Sequence, residues 1–302
     1  MARIVPLSEI RSAIAPLPTE TRATIAHRCD ALIAPRTEIA GLTFDRPHVM
    51  GIVNVTPDSF SDGGAEDPAG AARAMIAAGA SVIDIGGEST RPGATEVPLN
   101  EELARVLPVL AALANSGSPL SIDSRKAAVM AAALDAGATL VNDVSALTFD
   151  PAALALVAAR GCPVVLMHAQ GTPATMQVAP VYDGVVADVF DWLEARIAAC
   201  VAAGINRARI VADPGIGFGK TATHNAALLR DLAAFHGLGV PLLLGASRKA
   251  VIARLAGDSA PVGQRLGGSL ALALHGVACG VQIVRVHDVP ETVQAMRVTM
   301  AL

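Results

Sequence analysis

Eight short apolar runs along the chain each give out in a polar or charged residue, and Ala-rich stretches with helical periodicity separate them. The runs are His48–Val55, Ser81–Gly87, Pro119–Ser124, Ala138–Val144, Pro163–Ala169, Arg209–Gly215, Pro241–Ser247 and Val281–Asp288. Each reads as a buried strand. Strand–helix alternation repeated eight times implies an α/β chain wound into one (β/α)8 TIM barrel; a doubly wound open sheet is the alternative. Asp67-Pro68 and Asp150-Pro151 each read as an N-cap followed by proline at the first helical position. Gly79, Gly137, Gly161 and Gly204 stand where the helical pattern stops, as C-terminal caps do. Ahead of the first strand, the segment from Thr19 to Leu32 reads as a helix and Gly41 to Arg46 as a ribbon closing the barrel bottom. The expected organisation is an N-terminal extension over residues 1–47 and a barrel over 48–302, with no linker marking a second domain.

Composition agrees with helices packed on parallel strands. The chain is 52% hydrophobic but only 3% aromatic, so Ala, Val, Leu and Ile must fill the core. A net charge of −4 argues against a nucleic-acid coat or a polybasic membrane patch. The most apolar stretch, from Ser269 to Val284, is interrupted by His275 and Gln282 and is too short to span a bilayer comfortably. No secretory signal is visible, and Cys29, Cys162, Cys200 and Cys279 form no C-x-x-C pair. They read as reduced thiols of a cytoplasmic protein.

In such a barrel the active site lies at the carboxyl ends of the strands. Those ends supply Asn54, Glu88 with Thr90 and Arg91, Asp123, Asn142 with Asp143, His168, Asp213, Lys249, and Arg285 with His287. A purely structural barrel has no need of a polar residue at every strand end. The turn from Asp213 to Thr221 ends in Gly-Lys-Thr, like a nucleotide loop, but its spacing puts Pro214 where that motif requires its first glycine. Asp213, at the mouth of this turn, can accept two hydrogen bonds from an N–C–N edge such as a pterin or guanine presents. Lys249 stands where a strand meets a helix N-terminus, a setting that favours an anion or a ring carbonyl. Arg285 and His287 alternate on one strand and face the same way, which suggests a clamp for a pyrophosphate. No cluster has zinc-site spacing; a Mg²⁺ held mainly by substrate phosphate oxygens and one side-chain oxygen fits better. His27, His236 and His275 read as surface or core residues, and His168 and His224 have no role assigned.

Five phrases resemble bacterial dihydropteroate synthases: the run from Met50 to Gly64, Gly86 to Gly93, Asp213 to Lys220, Ser247 to Lys249, and Arg285 to Asp288. The resemblance runs from about His48 to the C-terminus. It implies condensation of 6-hydroxymethyl-7,8-dihydropterin pyrophosphate with para-aminobenzoate, giving 7,8-dihydropteroate and pyrophosphate for folate synthesis. It further implies Mg²⁺ at Asn54 and a pterin pocket of Asp123, Asn142, Asp213 and Lys249. Thr90, Arg285 and His287 would hold the pyrophosphate, with Arg91 as a further contact. Phe60, Pro92 and Phe218 would form the aminobenzoate pocket. Asp123, Lys249, Arg285 and His287 are the residues expected to carry the chemistry. The family is usually dimeric, and the apolar segment from Gly268 to Gly280 suits either an interface helix or a buried barrel helix.

Two positions depart from the family pattern. Ala250 replaces a common hydroxyl residue, and Ala169 replaces a common Met. The Gly-Glu-Ser-Thr-Arg-Pro loop is intact, so sulfonamides are expected to compete with para-aminobenzoate. The rival readings are a methyltetrahydrofolate:corrinoid methyltransferase on a similar pterin barrel and a pterin-binding barrel without catalysis. The pyrophosphate clamp speaks against the first, and intact Asn54, Asp123 and Lys249 speak against the second.

Overall fold

The structure, a computed structural model, describes residues 9–56, 67–91 and 93–302. Its frame is one sheet of eight parallel strands: β1 His48–Asn54, β2 Val82–Gly86, β3 Leu120–Asp123, β4 Leu140–Asp143, β5 Val164–Met167, β6 Ile210–Asp213, β7 Leu243–Leu244 and β8 Ile283–Val286. They neighbour one another in the order β6-β5-β4-β3-β2-β1-β8-β7, and a parallel bridge between Ala212 and Leu242 joins the two edges into a barrel. Every predicted run contains one strand, shortened at its ends.

Helices α1 Ile10–Ala13 and α2 Thr19–Ile33 precede the barrel. The others follow the strands: α3 Pro68–Ala78, α4 Leu99–Leu113, α5 Ala127–Asp135, α6 Ala153–Arg160, α7 Val185–Ala202, α8 Ala222–Arg230, α9 Ala250–Ala256, α10 Leu266–Ala278 and α11 Val289–Ala301. Asp67 caps α3 by accepting the Gly70 amide at 2.8 Å, with Pro68 at the first turn as expected. Gly79 and Gly161 close α3 and α6 in the left-handed conformation. The expectation at Asp150-Pro151 needs correction, because α6 starts at Ala153 with Ala152 as its cap. Asp150 instead accepts the Ala152 amide at 2.9 Å and the Ala127 amide at 2.8 Å. Its second oxygen therefore serves the start of α5, and the chain needs an extra turn before α6 begins.

Alternation along the strands sorts side chains into two sets. Ile83, Ile85, Ile122, Val141, Val164, Leu166, Ala212, Leu244 and Val284 face outward into the shell packed by the helices. Met50, Val82, Leu140, Val165, Val211, Leu243 and Ile283 face inward near the strand starts, and Ile39 and Leu42 seal them from below. The expected ribbon from Gly41 to Arg46 needs correction: the antiparallel bridge pairs Ile39 with Leu42, and it is the packing of these two side chains on the inward strand starts that closes the bottom. Two residues further along, the inward positions turn polar in four of these strands, at Asp84 of β2, Asn142 of β4, Asp213 of β6 and Arg285 of β8. This change of character inside one barrel places the site. No helix among the described residues is long and apolar enough to cross a membrane.

Candidate active site

The floor of the upper barrel is a ring of buried polar groups. Arg285 of β8 donates Nε–H to Asp84 Oδ2 at 2.6 Å and Nη2–H to Asp123 Oδ2 at 2.7 Å. Asn142 Nδ2 donates to the same Asp84 oxygen at 2.9 Å. Asp84, Asp123 and Asn142 are all buried. Burial pushes the Asp123 carboxyl up to about 7; the Arg285 charge pulls the other way, while Asp84, Asp143 and Glu102 add to the rise. Asp213 is also held above the ordinary carboxyl range by burial, with Lys249 drawing it back. Burial lowers Lys249 to about 8 against the attraction of Asp213.

Gly245, just past β7, brings backbone rather than a side chain to the same groups. A Cβ at Gly245 would lie 3.8 Å from Asp213 Oδ2, 3.9 Å from Lys249 Nζ and 4.0 Å from Arg285 Cβ. These are ordinary contact distances, so the backbone just past β7 forms the near wall against which the three groups meet. His287 sits above Arg285 on the same side of β8, its Nδ1 3.1 Å from Ser247 Oγ. Burial and the charges of Arg285, Arg248 and Arg91 depress its imidazole to about 3, so the ring is neutral at pH 7.

The loop after β2 is fixed at its base by buried ions. Glu88 accepts from Arg125 Nη2 at 2.9 Å, from Lys126 Nζ at 3.2 Å and from the Val97 amide at 2.8 Å. Lys126 Nζ also reaches Glu102 at 2.6 Å and the Val97 carbonyl at 2.8 Å. Burial raises the Glu88 pKa, but Val97, Arg125 and Lys126 together carry it below the usual carboxyl range. Half-buried Thr90 and exposed Arg91 project from this anchored base, and the Gly93 amide donates to the Pro173 carbonyl at 2.9 Å.

The glycine-rich turn after β6 supports Lys249 from the opposite wall. Lys249 Nζ donates to the Ile216 carbonyl at 2.6 Å and lies 4.6 Å from the centre of the Phe218 ring. A cavity of about 200 Å³ opens beside this wall, bordered by Thr90, Val144, Ala169, Met176, Trp192 and Phe218. The small side chain of Ala169 thus faces open volume. Ala250 is exposed at the start of α9.

Asp123, Asn142, Asp213, Lys249, Arg285 and His287 therefore converge as the strand ends suggested, and Asn54 stands half-buried at the end of β1. Phe60 and Pro92 lie outside the described residues. Sequence reasoning passed over Asp84, the partner shared by Arg285 and Asn142. Its signal was parity: Asp84 lies two residues after Val82, so it faces the same interior. Two histidines without an assigned role now have local ones. His224 closes a capping box with Thr221, and His168 accepts from buried Lys220.

Comparison with known proteins converges on one group. The family described as "Pterin binding enzyme" matches residues 50–287. A dihydropteroate synthase of Escherichia coli K12 is 50% identical over 267 residues, covering 86% of this chain and 93% of the relative. The Yersinia pestis dihydropteroate synthase, solved as a sulfonamide drug complex, superposes with a TM-score of 0.83 at 49% identity, covering 87% of this chain and 98% of that one. The Xanthomonas albilineans dihydropteroate synthase, solved with 4-aminobenzoic acid, gives a TM-score of 0.81 at 50% identity over 89% of this chain and 98% of that one. With a family match across most of the barrel and half the residues shared with such relatives, the chain belongs to the dihydropteroate synthase family of pterin-binding enzymes.

Proposed function

We propose that this barrel joins 6-hydroxymethyl-7,8-dihydropterin pyrophosphate to para-aminobenzoate, giving 7,8-dihydropteroate and pyrophosphate. The observation that carries the reading is the convergence of Asp123, Asn142, Asp213 and Lys249 with Arg285 at the top of one barrel. Asp213 accepts from the N–C–N edge of the pterin, and Asn142 and Lys249 meet the other polar edges of the ring. Arg285, His287, Thr90 and Arg91 take the pyrophosphate end. Phe218, with Phe60 and Pro92, provides the apolar wall for aminobenzoate.

The C–O bond to pyrophosphate breaks first, and its electron pair leaves with the pyrophosphate. The methylene carbon left behind is cationic, and the Asp123 carboxylate stabilises it through space. The aniline nitrogen then forms the C–N bond and loses a proton. No side chain has to act as a nucleophile. Arg285 is fixed by Asp84 before substrate arrives, so its charge is already oriented when the leaving group departs.

Mg²⁺ belongs to the same reading. Among the described residues no group of three or more His, Cys, Asp or Glu side chains is arranged to hold a metal. Asn54 offers a single neutral oxygen at a strand end, which suits a hard cation that keeps most of its oxygens from pyrophosphate and water. When bound, the ion would neutralise charge developing on the leaving group. A homodimer in a cytoplasmic setting completes the proposal.

Pyrophosphate release by the purified protein, with pterin pyrophosphate and Mg²⁺ and with or without para-aminobenzoate, tests it. Release accompanied by dihydropteroate is expected, and Asp213→Ala and Arg285→Ala should separate loss of pterin binding from loss of anion binding. Pterin binding with no release would instead mark a binding module.

A further inference from the structure

The turn after β6 is folded around an ammonium group. Lys220 is fully buried, and its Nζ donates to His168 Nδ1 at 2.9 Å, to the Gly215 carbonyl at 2.9 Å and to the Phe218 carbonyl at 3.0 Å. The His168 carbonyl stands a little further off, at 3.3 Å. Burying an ammonium is costly unless its protons are all accepted; here they are, and the cost that remains shows in a Lys220 pKa that burial lowers to about 7 against the attraction of Asp213. The turn is also pressed against the exit of β5. A Cβ at Gly215 would meet the His168 carbonyl oxygen at 1.9 Å, and one at Gly219 would meet the Gln170 carbonyl oxygen at 2.4 Å. Both glycines have positive φ, +70° and +64°, so neither position takes a side chain without strain.

The carbonyls of the turn point in two directions. Gly215 and Phe218 turn theirs inward onto Lys220, whereas Ile216 between them turns its carbonyl outward onto Lys249 Nζ at 2.6 Å. With the Phe218 carbonyl held inward, the Phe218 ring lies 4.6 Å from the same Lys249 Nζ. Asn225 secures the far side by accepting the Gly217 amide at 2.7 Å and donating to the Lys220 and Thr221 carbonyls. We propose that Lys220 is a positioning residue for the substrate site: by gathering the Gly215 and Phe218 carbonyls it aims the Ile216 carbonyl at Lys249 and sets the Phe218 wall. Lys220 touches no substrate. It acts through Lys249, on the pterin side, and through Phe218, on the aminobenzoate side. The inference rests on the roles given to those two residues above.

Lys220→Met keeps the unbranched shape and most of the length of the side chain and removes the amino group; His168→Gln leaves the amino group and removes the imidazole that accepts from it. Both are made in the full chain and measured well below their melting temperatures. Calorimetric binding of 6-hydroxymethyl-7,8-dihydropterin pyrophosphate with Mg²⁺ reads Lys249, and KM for para-aminobenzoate reads Phe218. Lys220→Met should weaken pterin binding and raise that KM, each by about tenfold, with His168→Gln moving both in the same direction by less. In the double variant Lys220→Met with Lys249→Ala, pterin binding should be no weaker than in Lys249→Ala alone, because the two changes remove one shared arrangement. A folded Lys220→Met or His168→Gln protein with lowered melting temperature but unchanged binding and KM would reduce the role to fold stability and overturn the proposal. Additive losses in the double variant would also overturn it. If Lys220→Met does not fold, His168→Gln decides alone by the same readings. A wild-type protein that fails to bind the pterin substrate would instead refute the reading of the site on which the inference stands.

Discussion

Arg285 reaches across the barrel from β8 to β2, where its Nε–H meets Asp84 Oδ2 at 2.6 Å. The carboxylate that fixes this cation is itself fully buried, and Asn142 shares the same oxygen. Asp84→Ala therefore strands a half-buried guanidinium with Asp123 as its remaining ion-pair partner. Breaking such a pair costs about 3–5 kcal/mol, which denaturant unfolding should register. Asp84→Asn, nearly isosteric, should lose less stability but should still lower kcat/KM for the pterin substrate. Unchanged kcat/KM in a folded Asp84→Asn protein would separate Arg285 orientation from catalysis.

A second prediction concerns Asp123. Burial holds its carboxyl at about 7, so the carboxylate form grows as pH rises through that value and is depleted below it. If the carboxylate stabilises the cation, kcat/KM should climb between about pH 6 and pH 8 and then level. Asp123→Asn should remove that limb and lower activity by about 10²–10³, the range found when one electrostatic stabiliser is lost. Retention of the limb in the variant would assign it to another group.

His168 gives a stability signature in acid. Burial first, and then the neighbouring Lys220 charge, depress its pKa from 6.5 to about 3. Between those values the unfolded chain takes up a proton that the folded protein refuses, so stability falls as pH falls through this window. One such site contributes about 1.4 kcal/mol per pH unit in the middle of the window. In His168→Gln the dependence on pH should be shallower by one proton. Equal slopes for the two proteins would show that the ring protonates normally in the folded state.

Glu88 holds both ends of the loop that carries Thr90 and Arg91, through its own backbone position and through the Val97 amide. Glu88→Gln removes the charge that balances Arg125 and Lys126 while keeping the shape. A loss of about 3 kcal/mol is expected, with a KM for the pterin pyrophosphate raised several-fold. Fluorescence-monitored melting and initial-rate kinetics would check the two effects together.

Sulfonamides should compete with para-aminobenzoate, since the Yersinia pestis relative, 49% identical, is solved as a sulfonamide drug complex. Raising para-aminobenzoate at fixed sulfonamide should restore the full rate. Undiminished turnover at saturating sulfonamide and low para-aminobenzoate would refute this.

The barrel was legible because strand periodicity and function use the same residues. In β2, β4, β6 and β8 the inward apolar positions Val82, Leu140, Val211 and Ile283 are each followed two residues later by Asp84, Asn142, Asp213 and Arg285. Attention to the ends of runs captured the last three and missed Asp84, whose strand continues to Gly86. Lys220 was hidden for a different reason. The sequence shows it only near the end of a glycine-rich turn, whereas most of its partners are backbone carbonyls, which no side-chain pattern records. Asp150 misled because a cap and a proline specify a helix start without saying which helix the carboxylate serves.

Ile39 and Leu42 make the barrel a blind cup. With the bottom sealed, both reactants and both products must use a single mouth. On the proposed reading, a pterin seated against Asp123 and Asp213 lies beneath an aminobenzoate at the rim by Phe218. On that reading depth sets an expected timetable: the pterin reactant before the aminobenzoate, and no second pterin at the floor until the joined product has left. An excess of para-aminobenzoate lodged at the rim would obstruct the reaction rather than speed it.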